Sequence, residues 1–170
     1  MFFSSNKSKS LYLKLGFSFF ILIFITTILQ TSYTYFSTKK ELYSEIENNI
    51  NVSLKQLENS VITFVESYQV NNYNRIIKNE MAHQNLLAII LEDYVTGKII
   101  GEDKYISGFF RNNEFEVIEY NIKNIEHKHQ MNTSIFSKEL ELKNSQNETI
   151  AILKIYGTDY YINKKLFVLM

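Results

Sequence analysis

The sequence has no cysteine, no proline and no tryptophan, and only 5 glycines among its 170 residues. Without cysteine the chain has no disulfide, no thiolate metal ligand and no thiol nucleophile. Lysine plus arginine and aspartate plus glutamate each number 18, so the formal net charge is zero and no broad field attracts nucleic acid. The glycines are scattered, which excludes a glycine-rich phosphate loop. At this length we expect about one domain, with part of the chain in a membrane.

Residues that could carry catalysis are equally sparse. No nucleophile-elbow motif is present. Glu92 and Asp93 are adjacent, so they would point to opposite faces of a strand, which argues against paired acid and base carboxylates. His127 and His129 would share a face of a strand and could bind a metal, but two solvated histidines on a charged connector are the better interpretation. We therefore predict no enzyme activity, no metal site and no cofactor in this chain.

A long uncharged run lies near the N-terminus. Residues 15–38 carry no charge, and residues 17–29 are overwhelmingly apolar. About 20 such residues cross a hydrocarbon layer roughly 30 Å thick as a helix. The lysines before the run have no acidic residue among them: Lys7, Lys9 and Lys14. Because positive charge stays on the cytoplasmic side, we predict a cytoplasmic segment at 1–14, a transmembrane helix at 15–35 and an extracytoplasmic remainder, anchored in the inner membrane.

The competing interpretation of this run is a cleaved signal peptide. No cleavage site of the small-x-small type follows the apolar residues, and a helical pattern continues directly after them, so we favour the uncleaved anchor. Tyr33 and Tyr35 fit the aromatic belt at the outer interface.

A helical stalk is predicted beyond the membrane segment. Apolar residues recur there every three or four positions, as on one face of a helix. The members are Leu42, Ile46, Ile50, Leu54, Leu57, Val61, Phe64 and Tyr68. A single helix cannot bury such a stripe against itself, so it needs either the following domain or the same helix of a second subunit. We expect a homodimer through this helix. A break at residues 70–73 and a returning helix from Tyr73 to about Gln84 complete the segment 36–84.

The pattern then changes to short strands. We predict strands at residues 86–91, 98–101, 105–111, 115–120, 136–142 and 149–156. The first is continuously apolar, as expected for a strand buried on both faces. Residues 92–97 are predicted as a turn, Asn112 and Asn113 as the turn of a hairpin, and residues 122–131 as partly helical. The sequence therefore predicts an α+β fold, in which residues 85–157 form a small antiparallel sheet backed by helices.

Residues 158–170 begin with a helix N-cap signal and end in five apolar residues. Five residues cannot cross a membrane. We interpret this segment as an exit helix that leads to a second transmembrane segment beyond Met170, in a longer protein that also carries an output domain.

This order of elements resembles the N-terminal sensor region of bacterial transmembrane signalling proteins: sensor histidine kinases of two-component systems, diguanylate cyclases and chemoreceptors. The sheet is similar to a single Cache or PAS-like domain. The phrases at residues 64–70, 87–94 and 105–108 are similar to those of such extracytoplasmic domains, and the resemblance covers residues 10–166. It implies a signal-sensing input region, and because no output motif is present it leaves the output reaction open.

The resemblance also implies a small-molecule ligand held between the sheet and its covering loops, by aromatic walls with a few polar anchors. The candidates are Tyr94, Tyr105, Arg111 and Tyr120, with Arg111 suited to a carboxylate. The competing interpretation is that the tyrosines pack at the edge of the core and Arg111 is solvated. A different function also stays open, that of a membrane-tethered structural or adaptor protein that pairs through its long helix.

Overall fold

The computed structural model describes residues 5–132, 134–162 and 164. The chain forms two compact units, Met1–Glu41 and Leu42–Met170. Two helices come first, α1 (Ser5–Glu66) and α2 (Val70–Glu80). The remaining elements are β1 (Leu86–Asp93), α3 (Tyr94–Ile100), β2 (Tyr105–Arg111), β3 (Val117–Glu119), α4 (Ile125–Met131), β4 (Phe136–Lys143) and β5 (Thr149–Gly157). Helices and an antiparallel sheet are thus both present, and the predicted α+β class is confirmed.

The first unit contains the apolar part of α1. An 18-residue window of this helix has a mean hydropathy of 2.0, and none of that window is buried within the protein. By length and composition the helix is able to cross a membrane. Hydroxyl groups in its apolar run bond to the helix's own backbone: Ser18 Oγ donates to the carbonyl of Lys14 at 3.0 Å, and Thr27 Oγ1 to that of Ile23 at 2.8 Å. Such bonds satisfy these hydroxyl hydrogens in an apolar surrounding.

In the second unit, the apolar stripe of α1 is buried by the domain that follows it. Ile46, Ile50, Leu57 and Val61 are each at most 1 % exposed. Gly157 marks how closely the helix approaches the sheet, because a Cβ atom there would lie 2.6 Å from Cδ1 of Ile50. Of the two partners that the sequence left open for this stripe, the following domain is the one observed.

Helix α1 ends at Glu66, four positions before the predicted break at residues 70–73. The amide of Gln69 donates to the carbonyl of Phe64 and that of Tyr68 to Val65, with Tyr68 in the left-handed region at φ 57°. This is a Schellman motif, which closes a helix by bonding its last free carbonyls. The chain therefore reverses at residues 67–69, and α2 begins at Val70 rather than at Tyr73.

The sheet has the strand order β3-β2-β1-β5-β4, and every neighbouring pair is antiparallel. The described residues form five strands, because the predicted strand at 98–101 falls in α3 and its C-cap. Strand β1 continues to Asp93, whose Oδ1 accepts the backbone N–H groups of Val95 and Thr96, both at 2.9 Å. That carboxylate caps a helix where we predicted a turn. Gly101, at φ 79°, then ends the helix.

The register of the strands divides the sheet into two faces, since successive side chains alternate. On the helix-covered face, Asp93 of β1 accepts a hydrogen bond from Tyr73 of α2, and Gly157 of β5 lies against α1. On the opposite face, which we call the cavity face, Ile90 and Glu92 of β1 lie beside Lys154 and Ile152 of β5. Helix α4 packs on the cavity face.

After β5, residues 160–162 are helical. The hydroxyl of Tyr43 on α1 donates to Oδ2 of Asp159 at 3.0 Å, which attaches this segment to α1. The predicted exit helix runs on into residues 163 and 165–170, which lie outside the described residues.

Candidate functional site

The four residues predicted to bind a ligand are not brought together. Tyr105 and Arg111 lie at alternate positions of β2 and share the helix-covered face, while Tyr94 is the first residue of α3. Tyr120 follows β3 and is the only one of the four among the residues lining the cavity described below. Ligand binding by Tyr94, Tyr105 and Arg111 stays a prediction, and the structure does not bring these three side chains into one site.

Arg111 is engaged by the protein's own backbone. Its Nε donates to the carbonyl of Leu86 at 3.0 Å and its Nη1 to that of Phe115 at 2.9 Å. Its Nη2 donates to the carbonyls of Met81 and His83. The residue is 7 % exposed, and burial lowers the pKa of its guanidinium. Arg111 thus ties the β2–β3 hairpin to the end of α2, where the sequence suggested either a ligand anchor or a solvated side chain.

The cavity face carries a depression of about 420 Å³. Strands β1, β2 and β5 form its floor, and the segment from Tyr120 through α4 forms its wall. The lining residues are Ile90, Glu92, Ile106, Tyr120, Ile122, Lys128, Met131, Asn132, Lys154 and Tyr156. Its volume and its mixture of apolar side chains with a few polar groups are typical of a small-ligand site.

A chain of ion pairs runs along one side of this cavity. Glu92 Oε2 lies 2.8 Å from Nζ of Lys104, and Glu92 Oε1 lies 3.1 Å from Nζ of Lys154. Lys154 Nζ is also 3.4 Å from Oε1 of Glu139 on the edge strand β4. Burial opposes the charge of Glu92, but hydrogen bonds to Lys104 and Lys154 outweigh it and hold the pKa of that carboxyl below its ordinary value.

The pKa of Lys154 shifts in the opposite direction. Burial opposes its charge, but the hydrogen bond and the charge of Glu92, with a contribution from Glu139, raise the pKa of the ammonium. Glu92 and Lys154 are therefore both ionised across the physiological range of pH.

Two tyrosines complete the polar lining. Burial raises the pKa of Tyr120 and of Tyr156, so both hydroxyls keep their protons and can donate hydrogen bonds. The ring of Tyr120 meets Phe110 edge to face, with 6.4 Å between the ring centroids. This contact fixes the direction from which Tyr120 borders the cavity.

Helix α4 is attached to the sheet through His127. The side chain is 8 % exposed and its ring centroid lies 3.9 Å from that of Phe110. Its Nδ1 accepts the backbone N–H of Asn121 at 3.1 Å, so the neutral ring carries its proton on Nε2. His129 is exposed. The interpretation of two solvated histidines on a connector is wrong for His127, because the segment is a helix and one histidine packs inward.

Sequence reasoning missed Glu92, Lys154 and Tyr156 as site residues. A signal existed in β5, where Lys154 is the only charged residue of the strand Thr149–Gly157. A lone lysine in an apolar strand needs a partner, and Glu92 at the end of the apolar run of β1 could supply one. Their pairing depends on the register between two strands far apart in sequence, which no local pattern contains.

No group of three or more histidine, aspartate or glutamate side chains that could hold a metal ion is found in the described part of the chain. Comparison of the sequence with protein-family models and with curated proteins gives no match. The chemistry of the site is therefore the basis for a functional proposal.

Proposed function

We propose that this chain is the extracytoplasmic, signal-sensing input region of a bacterial membrane receptor, and that the cavity face of its sheet binds a small molecule. The observation that carries the proposal is the cavity itself: a concave, mixed apolar and polar surface on the face of the sheet that α1 and α2 leave free. Ionised groups with shifted pKa values in a concave surface are typical of functional sites.

The position of the cavity suggests how binding would reach the helix. On β5, Tyr156 lines the cavity and the next residue, Gly157, lies against Ile50 of α1. A ligand that moved Tyr156 would therefore act next to a contact between β5 and α1. For α1 to transmit a signal it needs two packing arrangements against the sheet. A ligand shifts the equilibrium between them only by the difference in its affinity for the two.

The N-terminal part of α1 is proposed as the anchor of this region. Its uncharged run is long enough to cross the inner membrane, and the lysines before it favour a cytoplasmic N-terminus. In this arrangement the sheet lies outside the cytoplasm, as in the Cache and PAS-like sensor regions that the sequence resembles, and the output domain would belong to a longer protein.

The adaptor function finds less support. It requires the apolar stripe of α1 to be free for a partner helix, but Ile46, Ile50, Leu57 and Val61 are buried by the chain's own sheet. A homodimer through α1 stays part of the proposal, and it would use residues outside this stripe.

The test is a thermal-unfolding screen of the full chain in lipid nanodiscs against a library of small metabolites. A compound at 100 times its Kd stabilises the fold by about 2.7 kcal/mol, a shift of several degrees. Ile122→Trp fills the cavity from its rim, and Ile125→Trp, on a side chain 83 % exposed and outside the lining, is the matched control.

We expect at least one compound to raise the Tm of the unchanged chain and of the Ile125→Trp variant, with the shift lost in Ile122→Trp. A library without any such compound, or hits that act equally on both variants, would contradict the proposal.

A further inference from the structure

Lys154 holds two carboxylates that differ in burial. The Glu92 side chain is 11 % exposed and lies 3.1 Å from Nζ, whereas the Glu139 side chain is 60 % exposed and lies 3.4 Å away. Glu92 is also held by Lys104, so removing it would leave a buried charge without its partners. If its contact with Lys154 broke, the exposed Glu139 carboxylate would return to water. A contact at this exposure contributes little to stability. Glu139 is therefore the replaceable partner of Lys154.

The polar groups of the cavity determine which sign of charge a ligand can have. Glu92 is the one acidic residue that lines it, against Lys128 and Lys154, and it already contacts two ammonium groups. An incoming ammonium would find no free carboxylate there. Tyr120 and Tyr156 add hydroxyl donors to the lining, and both interact electrostatically with Glu92 and Lys154. The site thus offers hydrogen-bond donors and positive charge, which suit an anion.

The apolar residues of the lining determine what kind of molecule carries that charged group. Ile90, Ile106, Ile122 and Met131 form the apolar part of the lining. An ion such as phosphate would leave these side chains facing water, whereas an organic acid with an apolar body would cover them.

Building on the proposed function, we propose that the cavity binds a small organic carboxylate, whose head group bonds to Lys154 and takes the place of the Glu139 carboxylate. Glu139 acts as an internal competitor that the ligand displaces. Because Glu139 lies on the edge strand β4, its release also frees one link between β4 and β5.

The test uses three probes of one shape and different charge: 4-fluorobenzoate, 4-fluorobenzamide and 4-fluorobenzylamine. Their binding to the full chain in nanodiscs is measured by fluorine NMR titration. We expect the carboxylate to bind at least about tenfold more tightly than the amide or the amine, the difference of one charged hydrogen bond. Lys154→Met should remove that preference and Lys154→Arg should keep most of it.

The competitor role has its own pair of variants. Glu139→Gln should tighten 4-fluorobenzoate binding several-fold, because the probe no longer displaces an anion. Glu141→Gln is the matched control, since Glu141 lies two residues along the same strand, is 59 % exposed and pairs with Lys143 instead. The Glu141→Gln variant should bind 4-fluorobenzoate with the same affinity as the unchanged chain. Glu139→Gln removes only an exposed contact, so it keeps the test decisive if Lys154→Met does not fold.

An amide or amine that binds as tightly as the carboxylate, no binding of 4-fluorobenzoate, or equal affinities in Glu139→Gln and Glu141→Gln would each overturn the carboxylate proposal. The proposed sensing function is judged separately, by the metabolite screen with the Ile122→Trp and Ile125→Trp pair. A screen that succeeds with neutral or cationic compounds would leave the sensor in place and reject only the ligand class.

Discussion

The hydroxyl of Tyr73 donates a hydrogen bond to Oδ2 of Asp93 at 3.1 Å, and both residues are fully buried. Asp93 ends β1, caps α3 through two backbone N–H groups and also accepts from Thr96 Oγ1. One carboxylate therefore connects α2, β1 and α3. Burial, and after it the charge of Asp93, raise the pKa of Tyr73, so the phenol stays a donor in this bond.

Tyr73→Phe should lower the free energy of unfolding by about 1 kcal/mol, since it removes one hydrogen bond and leaves Asp93 its other donors. Asp93→Ala should cost about 2–3 kcal/mol, because the cap of α3 is lost and the Tyr73 hydroxyl stays buried without an acceptor. Urea titration of the full chain in detergent, read by pulse proteolysis, measures both. Tyr68→Phe, at a side chain 55 % exposed, should have no effect. A Tyr73→Phe variant as stable as the unchanged chain would contradict this role.

Arg111 is expected to matter for stability through its bonds to four backbone carbonyls. Arg111→Met leaves part of these acceptors buried and unpaired, so we expect a loss of about 2–4 kcal/mol in the same urea titration. Arg75→Met, at an exposed residue of α2, is the control and should stay within about 0.5 kcal/mol of the unchanged chain. Equal stabilities for the two variants would show that the carbonyl contacts contribute little.

The elements with a strong local signal were predicted well. The helical stripe of α1, the doubly buried β1 and the alternating β4 are all observed, because periodicity reports directly which side of an element is buried. Helix α3 was missed because its signal is the single N-cap Asp93, in a segment that also reads as a turn. The end of α1 was misplaced because Tyr68 adopts a left-handed conformation that is rare for a tyrosine.

The candidate site was predicted less well than the fold. Of the predicted residues, Tyr120 lines the cavity. The backbone partners of Arg111 could not be foreseen, because Met81, His83 and Leu86 lie about 25 to 30 positions away in sequence. The Glu92–Lys154 pair depends on the β1–β5 register in the same way. Contacts across a sheet follow from the assembled topology, and a single sequence carries no direct record of it.

The ion pairs of the cavity predict how stability depends on pH. The pKa of Glu92 is lower in the folded chain than its ordinary value of 4.5, so its contribution is complete above that value and is lost as pH falls through the folded pKa. The pKa of Lys154 is raised above 10.5, so its contribution is complete below that value and is lost as pH rises through the folded pKa.

We therefore expect a plateau of stability between these limits, with Glu92→Gln flattening the acid limb of a plot of Tm against pH. Glu102→Gln, at an exposed residue, should leave that limb unchanged. An acid limb with the same slope in both variants would show that other carboxylates produce it.

Labelling of single cysteines reports directly whether the N-terminal helix holds the sheet domain outside the cytoplasm. The chain has no cysteine, so Ser10→Cys and Ser145→Cys each create one reactive site. We predict that a membrane-impermeant maleimide labels Ser145→Cys in intact spheroplasts and labels Ser10→Cys only after lysis. Labelling of Ser145→Cys only after lysis, or recovery of a chain cleaved after the apolar run, would contradict this topology.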